Sequence, residues 1–322
     1  MLSLPDFVQK NLIICNTLEG HKLSFRNDNL LISDADEKVI LQQSCHRIFS
    51  LWILGGVSVT SGIIDRSKKF CFSIFVLSQN FRIQGIWNNR VEGNYLLRRK
   101  QYDYAKTELA NYLISNKIAN QIALIKSIRS KTEIEKQAIS QLEIYETQLK
   151  SATENESILG MEGVASRVYF PIWFSSVGWK KRMPRTKIDP LNTAMDIGYT
   201  LLFNYVECLL NLYGFDPYVG VYHKAFYQRK SLVCDLVEPF RCIIDKRIKN
   251  GFALGQIKES DFRKTKNQYF LKIEKNRYYS KLFMEAILER KEEMFLYIQT
   301  YYRCFMREKE ISNYPKFHIS GD

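Results

Sequence analysis

What most limits the fold of this chain is a change of texture near residue 95. No proline stands between Pro5 and Pro171, yet only the second part of that stretch has helical periodicity. From Tyr95-Leu-Leu-Arg-Arg-Lys through QYDYAKTELANYLISNKIANQIALIKSIR, apolar residues recur three and four apart, as at Leu109, Leu113, Ile118 and Ile122. That is the spacing of one helix face. KTEIEKQAISQLEIYETQLK continues in helix. Before residue 90 the pattern is different. NLIICNT, HKLSFRNDNLLISD, VILQQ, CFSIFVLS and FRIQGIWN are short runs rich in Val, Ile, Phe and Leu, bounded by Gly, Asn, Asp and Ser, and they read as strands. Between them SCHRIFSLWILGG reads as a short connection and SVTSGIIDRSKKF as one helix.

The expected fold is therefore α+β. A small β-sandwich-like domain covers residues 1–92, a linker 93–98, and a larger all-helical domain 99–322. A chain of 322 residues is long enough for two such cores. The stretch KNGFALGQIKESDFRKTKNQ (249–268) is the expected long loop of the helical part.

Charge divides unevenly along the chain. Lys and Arg number 47 against 34 Asp and Glu, a net +13, of which residues 1–95 carry +2 and residues 96–322 carry +11. A basic excess confined to the helical part points to a polyanion, nucleic acid being the commonest. The alternative is a basic protein with nothing bound. Seven cysteines form no CxxC pair or zinc spacing and sit in apolar runs, as buried thiols of a reducing cytoplasm do. MLSLPDFVQK lacks the basic and apolar regions of a signal peptide. The longest apolar run, IFSLWILGGVSV, is about a dozen residues, too short to span a bilayer. A cytoplasmic protein without a membrane segment is expected.

Two stretches carry chemistry. In LGMEGVASRVYF (159–170), a helix from about Glu154 puts Ile158, Glu162, Ala165 and Tyr169 on one face. A carboxylate on a semi-apolar stripe needs a cation or a donor. Gly160 and Gly163 flank it at a cost of roughly 1 kcal/mol each against Ala, and would let a backbone or ligand approach. In HKAFYQRKSLVCDLVEPFR (223–241), His223 precedes a helix beginning near Ser231, read as its N-cap. Leu232, Leu236, Phe240 and Ile243 form the core face of that helix, with Asp235, Glu238 and Asp245 along another stripe. Pro239 removes a helix hydrogen bond and kinks the chain after Glu238. Taken singly, Glu162 reads equally as a solvated surface residue and His223 as a satisfied loop histidine. Together, an imidazole and carboxylates form a mixed N/O set suited to Mn²⁺ or Mg²⁺, acting on a phosphodiester. Zinc is the competing metal, but no HExxH supports it.

Between these stretches lies a basic cluster, Lys180, Lys181, Arg182, Arg185 and Lys187, flanked by Trp173 and Trp179. Such a grouping suits a DNA backbone and an unpaired end, against the alternative of a solvated basic loop. Asp189 and Pro190 read as the cap and first residue of a long apolar helix.

In this order, ILGMEGVASRVYF, RMPRTKIDPLNTAMDIGYTLLF and HKAFYQRKSLVCDLVEPFRCIID resemble the CRISPR-associated adaptation integrases, the universal Cas endonucleases that insert new spacers into CRISPR arrays. The resemblance covers essentially the whole chain. Its wording around the acid pair and in KTELANYLISNKIANQ is closest to the branch accompanying class 2 (type V-like) systems. It implies that Glu162, His223 and Glu238 are the metal ligands, for Mg²⁺ or Mn²⁺, and that Asp235 orients the site or holds a second ion. It also implies a homodimer built through the β-rich domains and bridged by a small second Cas adaptation protein. Double-stranded DNA, as spacer precursor and repeat, would direct its 3′-hydroxyl ends into the helical domains. The readings that compete are a repair nuclease for branched DNA and a non-catalytic DNA-binding scaffold. Replacing Glu162, His223 or Glu238 by alanine is expected to abolish catalysis with little loss of fold.

Overall fold

The computed structural model describes residues 2–88, 93–184, 186–223 and 226–319. After a one-turn helix α1 (Leu4–Val8), the N-terminal part forms β1 (Asn11–Asn16), β2 (Lys22–Arg26), β3 (Asn29–Ser33), β4 (Val39–Ser44), β5 (Ile48–Leu54), helix α2 (Ser61–Phe70), β6 (Ser73–Leu77) and β7 (Ile83–Trp87). Strands β2-β3-β4 make an antiparallel sheet, and β1-β5-β6-β7 a mixed one in which β5 runs parallel to both of its neighbours. The two sheets and α2 enclose a common core of Ile13, Leu30, Ile32, Leu51, Ile53 and Ile74 among others, as expected of a sandwich.

One expectation fails inside it. IFSLWIL is no connection but the inner strand β5, every residue of which is buried. A strand covered on both faces shows a continuous apolar run rather than alternation, so its period gave no strand signal. Phe49 is an extra residue in it, since Asn11 pairs with Ile48 but Leu12 with Ser50. The bulge turns Trp52 and Leu54 toward the helices while Leu51 and Ile53 face the other sheet.

The helical part comprises α3 (Tyr95–Asp103), α4 (Glu108–Lys126), α5 (Glu133–Leu149), α6 (Asn155–Trp173), α7 (Pro190–Leu210), α8 (Ser231–Val237), α9 (Arg241–Ala253), a hairpin of β8 (Phe262–Thr265) and β9 (Gln268–Leu271), α10 (Asn276–Glu289) and α11 (Lys291–Met306). The segment 249–268, expected as a loop, instead continues α9 and then forms β8, so this part is not wholly helical. A two-residue turn, Lys266-Asn267, with φ of 46° and 63°, closes the hairpin. Helix α3 starts at Tyr95, inside the segment expected as a linker, with Asn94 accepting from the Leu97 amide; residues 89–92 lie outside the described residues.

The larger core joins both parts. Phe7 stacks on Phe295 at 4.2 Å, and Asn204 donates to the Phe81 carbonyl at 2.7 Å. Helix α4 is the central rod, packed against α5, α6 and α9, and Leu109, Leu113, Ile118 and Ile122 are all buried on it. Helices α7, α9 and α10 meet at Gly198, where a Cβ would lie 2.4 Å from Ile244 Cγ2. No helix among the described residues is long and apolar enough to cross a membrane.

Candidate active site

Three elements bring the site together. Helix α6 presents Ile158, Ala165 and Tyr169 fully buried, and this anchored stripe carries Glu162 inward. Expected close approaches at Gly160 and Gly163 are not made by the chain itself, because a Cβ at either would meet nothing within 4 Å. The second element is the break after α8. Ser231 is the first residue of that helix rather than its cap, which is Lys230. Pro239 then interrupts the helix, and Glu238–Phe240 form a single 3₁₀ turn before α9. The turn puts Glu238 almost completely out of water.

The third element, α4, supplies what the sequence reading lacked. Asn120 donates to the Pro239 carbonyl at 3.2 Å, tying the broken turn to α4. Asn116 and Asn120 also hold the C-terminal segment, pairing with Phe317 and Ile319 backbone groups at 2.7–3.0 Å. Lys117, between them, reaches into the gap. Its ammonium contacts Glu162 Oε1 and lies 2.7 Å from Glu238 Oε2. Arg241 Nε lies 2.8 Å from the same Glu238 oxygen. Burial alone would raise the Glu238 carboxyl; Arg241 and then Lys117 overcome it and bring it down to about 2. The other oxygen of Glu162 accepts from the Tyr222 hydroxyl.

His223 is held by Asp235. Asp235 Oδ2 accepts the amides of Val221 (2.6 Å) and Tyr222 (3.0 Å), and Oδ1 accepts the His223 amide at 2.9 Å and lies 2.6 Å from His223 Nδ1. A carboxylate only accepts, so Nδ1 is the ring nitrogen that donates to Asp235. Asp235 is thus a fully buried anchor of the 221–223 segment, with no capacity left for an ion. Gly220 makes the approach possible, since a Cβ there would lie 2.5 Å from Asp235 Oδ2. Asp245 is not gathered with Asp235 and Glu238. It accepts from the Tyr169 and Tyr199 hydroxyls and forms the wall behind Arg241, whose guanidinium stacks over the Tyr199 ring at 4.6 Å.

Among the described residues no three His, Cys, Asp or Glu side chains stand at ligand spacing. Instead a buried cation bridges two of the expected ligands. Glu162 and Glu238 converge on one positive charge, and the Tyr222 hydroxyl on Glu162 ties that pair to the segment carrying His223. The donor set is two carboxylates and an imidazole nitrogen, suited to Mg²⁺ or Mn²⁺.

The basic residues fall into two groups. Lys180 and Lys181 are exposed on the surface; Arg185 lies outside the described residues. Arg182 is pinned by Asp196 at 2.7 Å and Asn192 at 3.1 Å, and Lys187 is half-buried near the Phe270 ring. Trp179 is packed on Phe170 and Phe174, with ring centroids 5.1 and 5.9 Å away. A cavity of about 880 Å³ is lined by Arg82, Arg182, Lys187, Arg229, Lys230 and Arg241, with Asp196 as its acid. Arg241, the group that touches Glu238, is among its lining residues. Lys117, Arg82 and Arg229 had no place in the sequence reading.

The sequence profile of the family described as CRISPR associated protein Cas1 matches residues 14–285. This chain belongs to the Cas1 family. It is 28% identical over 275 residues to a CRISPR-associated endonuclease Cas1 of Thermodesulfovibrio yellowstonii, covering 80% of this chain and 86% of that one. It is 30% identical over 266 residues to one of Chlorobaculum tepidum, covering 76% and 77%. Among solved structures, a casposase bound to integration product superposes with a TM-score of 0.78 at 20% identity, covering 96% of this chain and 94% of that one. A Cas1 protein from Thermotoga maritima gives 0.75 at 18%, covering 92% and 97%. The Cas1 fold, an N-terminal β region followed by helices, is therefore the frame in which Glu162 and Glu238 converge on Lys117.

Proposed function

We propose that this Cas1 protein is a divalent-metal-dependent DNA endonuclease and integrase of CRISPR adaptation. It joins the 3′-hydroxyl of a captured DNA fragment to a phosphodiester at the end of a repeat. The observation that carries this reading is the pair Glu162 and Glu238 bridged by the buried Lys117 ammonium, with the His223 ring fixed nearby in the chain by Asp235. Mg²⁺ or Mn²⁺ would be held by these two carboxylates and the His223 ring. When bound, such an ion activates a hydroxyl and stabilises charge on the phosphate and leaving oxygen.

The residues of the chain do the rest. Asp235 fixes the His223 ring and its tautomer. Tyr222 orients Glu162, and Arg241 keeps Glu238 ionised. The basic cavity draws a DNA backbone toward Arg241. One oxygen–phosphorus bond forms as another breaks, so strand transfer needs no energy source beyond the DNA itself.

The proposed assembly is a homodimer through the β-rich parts, joined by a small second Cas adaptation protein. Two observations support it. Val39 and Ile40 leave apolar surface on the edge strand β4, and a Cas6-RT-Cas1–Cas2 complex shares the fold, with a TM-score of 0.79 at 19% identity, covering 96% of this chain and 36% of that one. On our reading the protein serves a single-effector system, which its genomic neighbours would check.

The test is strand transfer. The protein, with its small partner, is incubated with a short duplex bearing 3′-hydroxyls, a repeat-containing plasmid and Mn²⁺, beside a His223→Ala control. Joined product from the unaltered protein alone is the expected result. Nicking without joining would favour a branched-DNA repair nuclease, and binding without cutting a scaffold.

A further inference from the structure

The four charges at the centre of the site sum to zero: Glu162 and Glu238 against Lys117 and Arg241. Lys117 and Glu238 are only 7% and 2% exposed, so water screens them little. A divalent ion entering such a place adds two positive charges to a balanced set. It meets the Lys117 ammonium on the very oxygens it needs. Arg241 has little freedom to give way, being stacked over Tyr199 and beside Glu238. Lys117 sits on a flexible four-carbon stem, and both of its partners are the carboxylates that the ion would take.

We infer that Lys117 is a positioning residue of the reaction, which holds Glu162 and Glu238 together until a divalent ion takes the carboxylates and a DNA phosphate takes its ammonium. This rests on the reading of the site as a divalent-metal centre that acts on DNA. The anion comes from the cleft: of the six basic side chains lining the cavity, Arg182, Lys230 and Arg241 are paired with Asp196, Glu207 and Glu238, and the positive excess of Arg82, Lys187 and Arg229 suits a phosphodiester as the negative charge that reaches this place. The metal alone leaves an excess of positive charge, and DNA alone leaves Lys117 engaged. Each therefore favours the other, and Lys117 is the link. A lysine present only to satisfy two buried acids would stabilise the fold without coupling the two ligands.

The test measures Mn²⁺ affinity from the free-ion EPR signal, without and with a duplex whose 3′ ends are dideoxy-terminated. It compares unaltered protein with Lys117→Met and the milder Lys117→Gln, each checked for fold by near-UV circular dichroism. For the unaltered protein, DNA should tighten Mn²⁺ binding by about tenfold or more. Either variant should bind Mn²⁺ about tenfold tighter than the unaltered protein without DNA, and gain less than about threefold from it. Variants that bind Mn²⁺ no tighter, or keep the full response to DNA, overturn the inference. Unaltered protein whose Mn²⁺ affinity ignores DNA overturns it alone, even if neither variant folds. Absence of any Mn²⁺ binding, or of any gel shift by the duplex, would instead remove the metal or DNA reading on which the inference stands.

Discussion

Nδ1 of His223 lies 2.6 Å from Oδ1 of Asp235, and that same oxygen accepts the His223 amide at 2.9 Å. One carboxylate thus sets both the position of the histidine and the tautomer of its ring. Asp235→Asn puts an NH₂ where one of these donors points, leaving a buried amide or the ring unpaired. The expected cost is about 1–3 kcal/mol of stability, with Mn²⁺ affinity and strand transfer down by about 10–100-fold. Urea unfolding and Mn²⁺ titration of the variant check both. Full activity with unchanged metal affinity would show that the ring needs no such partner.

Glu238 predicts a departure from the sequence reading, which expected alanine there to spare the fold. Its carboxylate is the shared partner of Lys117 and Arg241. Removing it takes one of two acid partners from the buried Lys117 and the acid partner from the partly buried Arg241. Glu238→Ala should lower stability by about 3–5 kcal/mol, measurable as an earlier urea midpoint. His223→Ala, at a partly exposed ring outside that charge cluster, should cost far less. Equal midpoints for the two variants would refute the ranking.

DNA affinity should respond to the cleft more than to the surface cluster. Arg82→Gln with Arg229→Gln removes two charges lining the cavity, and the slope of log affinity against log salt should flatten by about 0.9 per lost phosphate contact. Lys180→Gln with Lys181→Gln, on an exposed segment, serves as the comparison. A larger loss from that pair would move the DNA path to the outer surface.

These predictions draw on features that were legible in the sequence to different degrees. The stripe of Ile158, Glu162, Ala165 and Tyr169 was readable because helix periodicity alone decides which residues share a face. The break at Pro239 and the cap at Asp189 followed from proline and carboxylate chemistry, and Asp189 does accept the Asn192 amide at 2.7 Å. Strand β5 was not readable, since burial on both faces erases alternation. Lys117 was missed for a related reason. Helix α4 is enclosed on nearly all sides, so Asn116, Lys117, Asn120 and Gln121 are buried too, and what they meet lies some 45 to 200 positions away. The signal was there: a cluster of polar residues within an otherwise apolar helix needs partners. It could not say which.

Asp245 gives a pH dependence of unusual sign. Burial raises its carboxyl, the Tyr199 and Tyr169 hydroxyls lower it in part, and it is left at about 6. The folded protein therefore prefers the protonated acid. Its contribution is fully present below the ordinary aspartate value of 3.8 and is lost as pH rises through about 6, a change of about 3 kcal/mol by linkage. Glu238 acts in the opposite sense and in a lower window. Its depressed carboxyl contributes stability above 4.5 that is lost as pH falls toward about 2. Total stability therefore mixes two slopes, and a difference measurement separates them. Urea unfolding of the unaltered protein and of Asp245→Asn from pH 4 to 8 should show the advantage of the unaltered protein shrinking between about pH 4 and 6.5 and staying flat beyond. A gap independent of pH would mean that Asp245 stays ionised throughout, held by its two tyrosine hydroxyls and the nearby Arg241.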